Sequence, residues 1–315
     1  MTGIRIQHVN ICTWVAVLVL VVTGCSGSGR DRARRGEDRN PTTTTTAPAI
    51  SRHLPTTVEQ VANLPGYDVF RPANLRATGA PLPVIVWADG GCVRFDGVWK
   101  PLLERWAAAG FVVVAITNPP AGADPRTAGF TTADDQAKAV DWAVAENTRA
   151  TSPYAGRLDL RRIVAAGNSC GGITTLTLTA RDRRVRAAFV LSGSSVLPGS
   201  SAEAAAAIMR AIHVPVGWVI GGPQDISTTM ANQDYDLVPA GVPAFLAHRS
   251  EGDHVKVSTD AGVLAEVAGI STNWIDLALH GDRKVEQTLL AKPCGICAPG
   301  TWTVEAKDLD TLVNR

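Results

Sequence analysis

The stretch Ile163-Val164-Ala165-Ala166-Gly167-Asn168-Ser169-Cys170-Gly171-Gly172 joins an apolar run to Gly-x-Ser-x-Gly, and the small and apolar residues from Ile173 to Ala180 follow it. The first part has strand character and the last part opens a helix. Strand, sharp turn and helix in that order leave a serine exposed at the carboxyl end of a strand. Gly167 and Gly171 let the backbone turn tightly and pack against the helix without a Cβ clash. Cys170 begins the helix, so its backbone N–H is free to point at a developing oxyanion. A Gly-rich segment can also merely turn the chain, but these flanks favour a reactive Ser169.

Working outward, the chain has 315 residues, 45% hydrophobic and 19% charged, which suits one large α/β domain with an appendage. A net charge of +1 gives no argument for nucleic acid. Cys294 and Cys297 form one Cys-x-x-Cys pair without a second pair to complete a zinc site, so no metal or cofactor is implied. Arg5 and His8 precede an apolar run from Ile11 to Val22, too short for a membrane span of about 20 residues but of signal-peptide length. It ends in Val22-Thr23-Gly24-Cys25, which resembles the lipobox of bacterial lipoproteins. Residues 1–25 are therefore expected to be a lipoprotein signal peptide, with Cys25 carrying the lipid and the protein held on the outer side of the membrane. Simple secretion is the alternative. Residues 26–50 hold Ser-Gly repeats, a charged run and a threonine tract with almost no apolar side chains, and read as a disordered tether.

The domain is expected over residues 51–315. Tyr67–Phe70 reads as a short antiparallel strand. Leu82–Trp87, Phe111–Ile116, Ile163–Ala166, Val185–Leu191, Val216–Ile220 and Pro243–Ala247 read as buried strands. Between them, helical patterns cover Trp99–Ala109, Thr132–Arg149, Ser201–Ile212, a short segment from Asn232 and Val263–Leu279. This alternation predicts an α/β fold, a mostly parallel central sheet with helices on both faces. Only about two dozen residues separate the fourth and fifth buried strands, which leaves room for a minimal lid.

Reactive groups in such sheets gather outside the carboxyl ends of the strands. Ser169, Asp225 and His254 sit there in the order serine, acid, histidine. A serine hydroxyl is a weak nucleophile, a histidine must take its proton, and a carboxylate fixes the imidazole tautomer. Asp225 has a competing role as a helix cap. Asp253 is adjacent to His254 and badly placed to reach its ring, and Asp234 and Asp236 fall on helix. His213, His248 and His280 are the competing bases, at a strand start, a strand end and a helix end. The second oxyanion donor is expected from Asp89-Gly90-Gly91-Cys92, with Gly91 or Cys92 acting alongside Cys170. Exported proteins form disulfides, and the four cysteines of the domain allow three pairings. Cys92 and Cys170 lie in two loops that must face one oxyanion, which favours a Cys92–Cys170 bond and leaves Cys294 for Cys297. Two free thiols beside the site are the alternative.

From Tyr67 onward the chain resembles a secreted branch of the α/β-hydrolase superfamily. The resemblance rests on Trp87-Ala88-Asp89-Gly90-Gly91-Cys92, Gly167 to Gly172, Gly221-Gly222-Pro223-Gln224-Asp225-Ile226, the segment Trp274 to Asp282 and the Cys-x-x-Cys tail. It departs from that pattern at Asp89 and at Asp253-His254-Val255. The chain also resembles, more distantly, cutinase- and polyester-hydrolase-like enzymes. The resemblance implies the α/β-hydrolase fold and the serine–acid–histidine set. The combined expectation is an exported serine hydrolase that cleaves small-molecule or polymeric carboxylic esters through an acyl-enzyme. A serine peptidase or amidase on the same triad, a hydrolase using Cys170 as nucleophile, and a non-catalytic binding lipoprotein of this fold are the rivals.

Overall fold

The computed structural model describes residues 53–94, 97–117, 130–290, 295 and 300–312. The expected signal peptide, tether, lipidated Cys25 and the pair Cys294 and Cys297 lie outside these residues, as does the Pro/Gly-rich stretch 118–129. In chain order the elements are β1 (Thr56–Gln60), β2 (Tyr67–Pro72), β3 (Leu82–Ala88), α1 (Lys100–Ala109), β4 (Val112–Ile116), α2 (Ala133–Thr148), β5 (Leu158–Asn168) and α3 (Cys170–Arg181). They continue with β6 (Val185–Leu191), α4 (Ala202–Met209), β7 (Val216–Ile220), α5 (Thr228–Leu237), β8 (Ala244–Arg249), α6 (Lys256–Thr259), α7 (Ala261–His280), α8 (Arg283–Leu290) and β9 (Trp302–Lys307).

These strands form one sheet in the order β1-β2-β4-β3-β5-β6-β7-β8-β9. The six strands from β4 across to β8 run parallel, while β1, β2 and β9 are antiparallel. The parallel strands are the six apolar runs legible in the sequence, because a strand covered on both faces must be apolar on both. Period-two alternation then divides the core. Ile85 and Trp87 pack with Trp99, Leu102, Trp106 and Trp274 of the α1 and α7 face. Val84 and Val86 point the other way, against Val140 and Ala143 of α2. Val190 and Trp218 meet Leu176, Met209 and Tyr235 beneath α3, α4 and α5.

The structure extends the sequence reading at five elements. Strands β1 and β9 are sheet edges whose exposed positions interrupt any apolar run. Helix α8 is short and strongly amphipathic, with Leu289 its buried residue. Strand β5 begins at Leu158, five residues before the apolar run, because Asp159 takes ion pairs from Arg161 at 3.4 Å and Arg162 at 3.1 Å on the strand itself. Helix α5 starts at Thr228, four residues earlier than expected.

Candidate active site

Ser169 stands between β5 and α3 with φ 51° and ψ −118°, a conformation that costs a non-glycine residue on the order of 1–3 kcal/mol. It persists because its neighbours over-determine it. Ser169 N–H donates to the Leu191 carbonyl at 2.9 Å, and Gly172 N–H donates to the Ser169 carbonyl at 2.8 Å. The glycines are there for close approach. A Cβ on Gly171 would stand 2.1 Å from the Ala88 carbonyl oxygen, and one on Gly167 would stand 2.4 Å from the Gly171 oxygen.

His254 follows β8 and brings Nε2 to 2.8 Å from Ser169 Oγ. Its Nδ1 lies 2.7 Å from Asp225 Oδ1, beyond the end of β7. Asp225 also accepts the N–H of Gly221 at 2.9 Å and of Ser227 at 2.9 Å. The capping role and the partnership with histidine therefore coexist on one carboxylate. Burial pushes the Asp225 pKa up, but the imidazole and the Ser227 N–H outweigh it and hold the carboxyl below its ordinary value. The loops after β7 and β8 are joined backbone to backbone. Gln224 N–H donates to the Gly252 carbonyl at 3.3 Å, and a Cβ on Gly221 would stand 2.3 Å from the Asp253 oxygen.

The competing side chains are engaged elsewhere. Asp253 accepts the N–H groups of Val255 and Lys256 at 2.9 and 2.8 Å. His248 Nε2 is 2.8 Å from Asn232 Oδ1, and burial lowers its pKa. His213 contacts the Ala211 carbonyl at 3.2 Å, and His280 pairs with Asp276 at 2.9 Å. Asp236 is exposed and 3.9 Å from Lys307 Nζ. Asp234 is fully buried and accepts both the N–H and the hydroxyl of Ser195, at 2.5 and 2.6 Å.

The loop after β3 arrives beside the serine. A Cβ on Gly90 would stand 3.5 Å from Ser169 Cβ. Asp89, the residue that departs from the family pattern, is buried and accepts Gly90 N–H at 2.7 Å. That contact occupies Gly90 and leaves Gly91 and Cys92 as the candidate donors of this loop. Gly91 and Cys92 both take positive φ, 66° and 54°. Cys92 is joined to Cys170 by a disulfide with a Cα separation of 5.1 Å. The bond closes a sequence separation of 78, which in the chain-entropy model constrains the unfolded chain by about 4–5 kcal/mol.

A family model described as PET hydrolase-like matches residues 34–293. The chain belongs to the PET hydrolase-like family. It is therefore a serine ester hydrolase, of the polyester-hydrolase kind that the sequence alone suggested only as a more distant relative. No curated protein matches it.

Sequence reasoning passed over several supports of this PET hydrolase-like site. Gln136, buried in α2, donates from Nε2 to the carbonyls of Val86 at 2.8 Å and Ala166 at 2.9 Å, and so ties β3 to β5 below the elbow. Asn168 donates to the Leu191 carbonyl at 2.9 Å, and the Ser227 hydroxyl donates to the Ser192 carbonyl at 2.9 Å. Arg94 reaches Asp135 at 2.6 Å and fastens the far end of the loop after β3 to α2. Such polar residues in apolar helix or strand patterns are the available signal, but their partners are set only by tertiary packing.

Proposed function

We propose that this hydrolase cleaves carboxylic esters through an acyl-enzyme, with Ser169 as nucleophile, His254 as general base and then acid, and Asp225 as its orienting carboxylate. The observation that carries the reading is the continuous relay from Ser169 Oγ through His254 to Asp225, with heavy-atom distances of 2.8 and 2.7 Å. Attack on the ester carbonyl passes the serine proton to Nε2, and collapse of the tetrahedral intermediate returns it to the leaving alcohol. Water then repeats the sequence on the acyl-enzyme. Asp225, held ionised by its hydrogen bonds, stabilises the imidazolium in both halves. Cys170 N–H, at the start of α3, and an N–H of Gly91 or Cys92 receive the oxyanion.

Substrate access is supported as open. Residues 192–215 are all that separates β6 from β7, and they contain only the short helix α4. Ile226 and Val255, each next to a triad residue in sequence, are exposed, as are Val93, Phe130 and Leu197. Exposed apolar side chains next to the triad residues suit ester groups that are exposed, short-chained or part of a polymer. Export rests on the apolar run Ile11–Val22 and the four residues ending at Cys25. No helix among the described residues is long and apolar enough to cross a membrane.

Ser169→Ala tests the catalytic reading. Hydrolysis of p-nitrophenyl esters and labelling by a fluorophosphonate should both be lost while the circular dichroism spectrum stays unchanged. Wild-type turnover in that variant overturns the assignment.

A further inference from the structure

We propose that the Cys92–Cys170 disulfide is a positioning element of the ester-hydrolysing site, and that its reduction by a dithiol slows the enzyme without unfolding it. The inference rests on the assignment of the oxyanion donors to Cys170 and the Gly91–Cys92 turn.

The bond starts at the residue directly after Ser169 and ends in the turn that faces it, at a Cα separation of 5.1 Å. It thus joins the two segments whose N–H groups must share one oxygen. The turn has a reason to leave that position when released. Gly91 and Cys92 are consecutive left-handed residues, and Cys92 carries a Cβ that opposes φ 54°. The fastenings at the loop's Cys92–Arg94 end point away from the serine. Cys92 accepts Thr131 N–H at 2.8 Å through its carbonyl, and Arg94 pairs with Asp135 at 2.6 Å. Both hold the loop to the start of α2. Cutting the disulfide therefore removes the covalent tie between Cys92 and α3 and leaves Cys92 and Arg94 drawn toward α2, while Gly90 stays packed against Asn168 and Ser169. The fold survives on the sheet and its three apolar clusters, while the spacing between the donors does not.

Access is unequal at the two sulfurs. Cys92 is half-buried, whereas Cys170 is 8% exposed. A dithiol attacks through its thiolate at Cys92 Sγ. The Cys92–Cys170 bond breaks, and Cys170 leaves as a thiolate that takes up a proton. The reagent's second thiol then displaces Cys92, which becomes a thiol as the reagent closes to its own cyclic disulfide. Two electrons and two protons pass from the reagent to the protein.

The full-length protein is assayed with a soluble p-nitrophenyl ester well below its melting temperature, oxidised and after dithiol treatment, with released thiols counted. We expect kcat to fall about 10–100-fold, less than the roughly 10²–10³-fold lost when one oxyanion donor is removed outright. KM should change less than about threefold. Affinity for a boronic acid that mimics the tetrahedral intermediate should fall in step with kcat, and reoxidation should restore both. A Cys92→Ala, Cys170→Ala double variant provides the second arm if the bond resists the reagent, and it should be slow with or without dithiol. A purely structural bridge would lower the melting temperature and leave kcat and boronate affinity unchanged; that result, or wild-type kcat in the double variant, overturns the proposal. Free thiols at both positions in untreated exported protein overturn it as well. The Ser169→Ala experiment is independent: its success alongside failure here leaves the hydrolase reading standing and removes only the role of the disulfide.

Discussion

Two buried aspartates, one at this site and one outside it, have opposite electrostatics. Asp225 is below its ordinary pKa because, against burial, it accepts from an imidazole and a backbone N–H. A carboxyl whose folded pKa is depressed adds stability above its unfolded pKa and loses it as pH falls through the folded value. Asp225→Asn should thus lower the melting temperature at pH 7 and converge on wild type in strong acid. Its kcat should fall by roughly 10⁴, because an amide no longer stabilises the imidazolium or fixes the tautomer. His248→Ala should retain wild-type kcat, since its ring faces Asn232 rather than the serine; loss of turnover there would move the base away from His254. Asp234 is the converse case. Burial raises its pKa to about 6 even though Ser195 donates to it twice. Its charged form costs stability, on the order of 3 kcal/mol at most, absent below the unfolded value and fully present above about pH 6. Asp234→Asn keeps an acceptor for Ser195 N–H and removes the charge. Melting curves should show the variant gaining on wild type between pH 4.5 and pH 8, and a difference that does not vary with pH would refute the shifted carboxyl.

At the scale of elements, the β5–α3 junction works because three other segments press on it. Strand β3 touches it at Gly171, the turn after β6 touches it at Gly193, and Gln136 of α2 ties β3 to β5 beneath it. Gly171→Ala forces a methyl group to within 2.1 Å of a backbone oxygen that cannot yield without moving β3. Its cost should lie at the severe end for a single substitution, roughly 4 kcal/mol or more by chemical denaturation. Gln136→Met keeps the volume but leaves two buried carbonyls without their donor, at about 1–3 kcal/mol. A value near zero would show that those carbonyls find another partner.

At the scale of the whole molecule, the groups that meet at Ser169 come from the carboxyl ends of four parallel strands, β3, β5, β7 and β8. Strand direction puts all four loops at one end of the sheet, and the crossover helices hold them there. We propose that the domain acts at the cell envelope, tethered through Cys25. Cys25→Ser should release the protein from the membrane fraction or block its processing, leaving the turnover of purified protein unchanged. Unaltered partitioning and unaltered size on a gel would count against a lipid anchor.

The apolar runs alone determined six strands, the parallel sheet and the position of Ser169, because burial on both faces leaves a strand no other composition. Strand-end placement and chain order pointed to Asp225 and His254, and the opposed loops pointed to Cys92 with Cys170. What the sequence could not reveal were interactions whose two halves lie far apart in the chain. Thr56–Gln60 and Trp302–Lys307 become strands only because an edge is there to pair with. Gln136 looks like an ordinary helical glutamine until β3 and β5 present their carbonyls to it. Asp234 is only a helix residue in the sequence until Ser195, 39 positions away, donates to it twice. A buried polar group must find a partner, and only the tertiary structure decided which one.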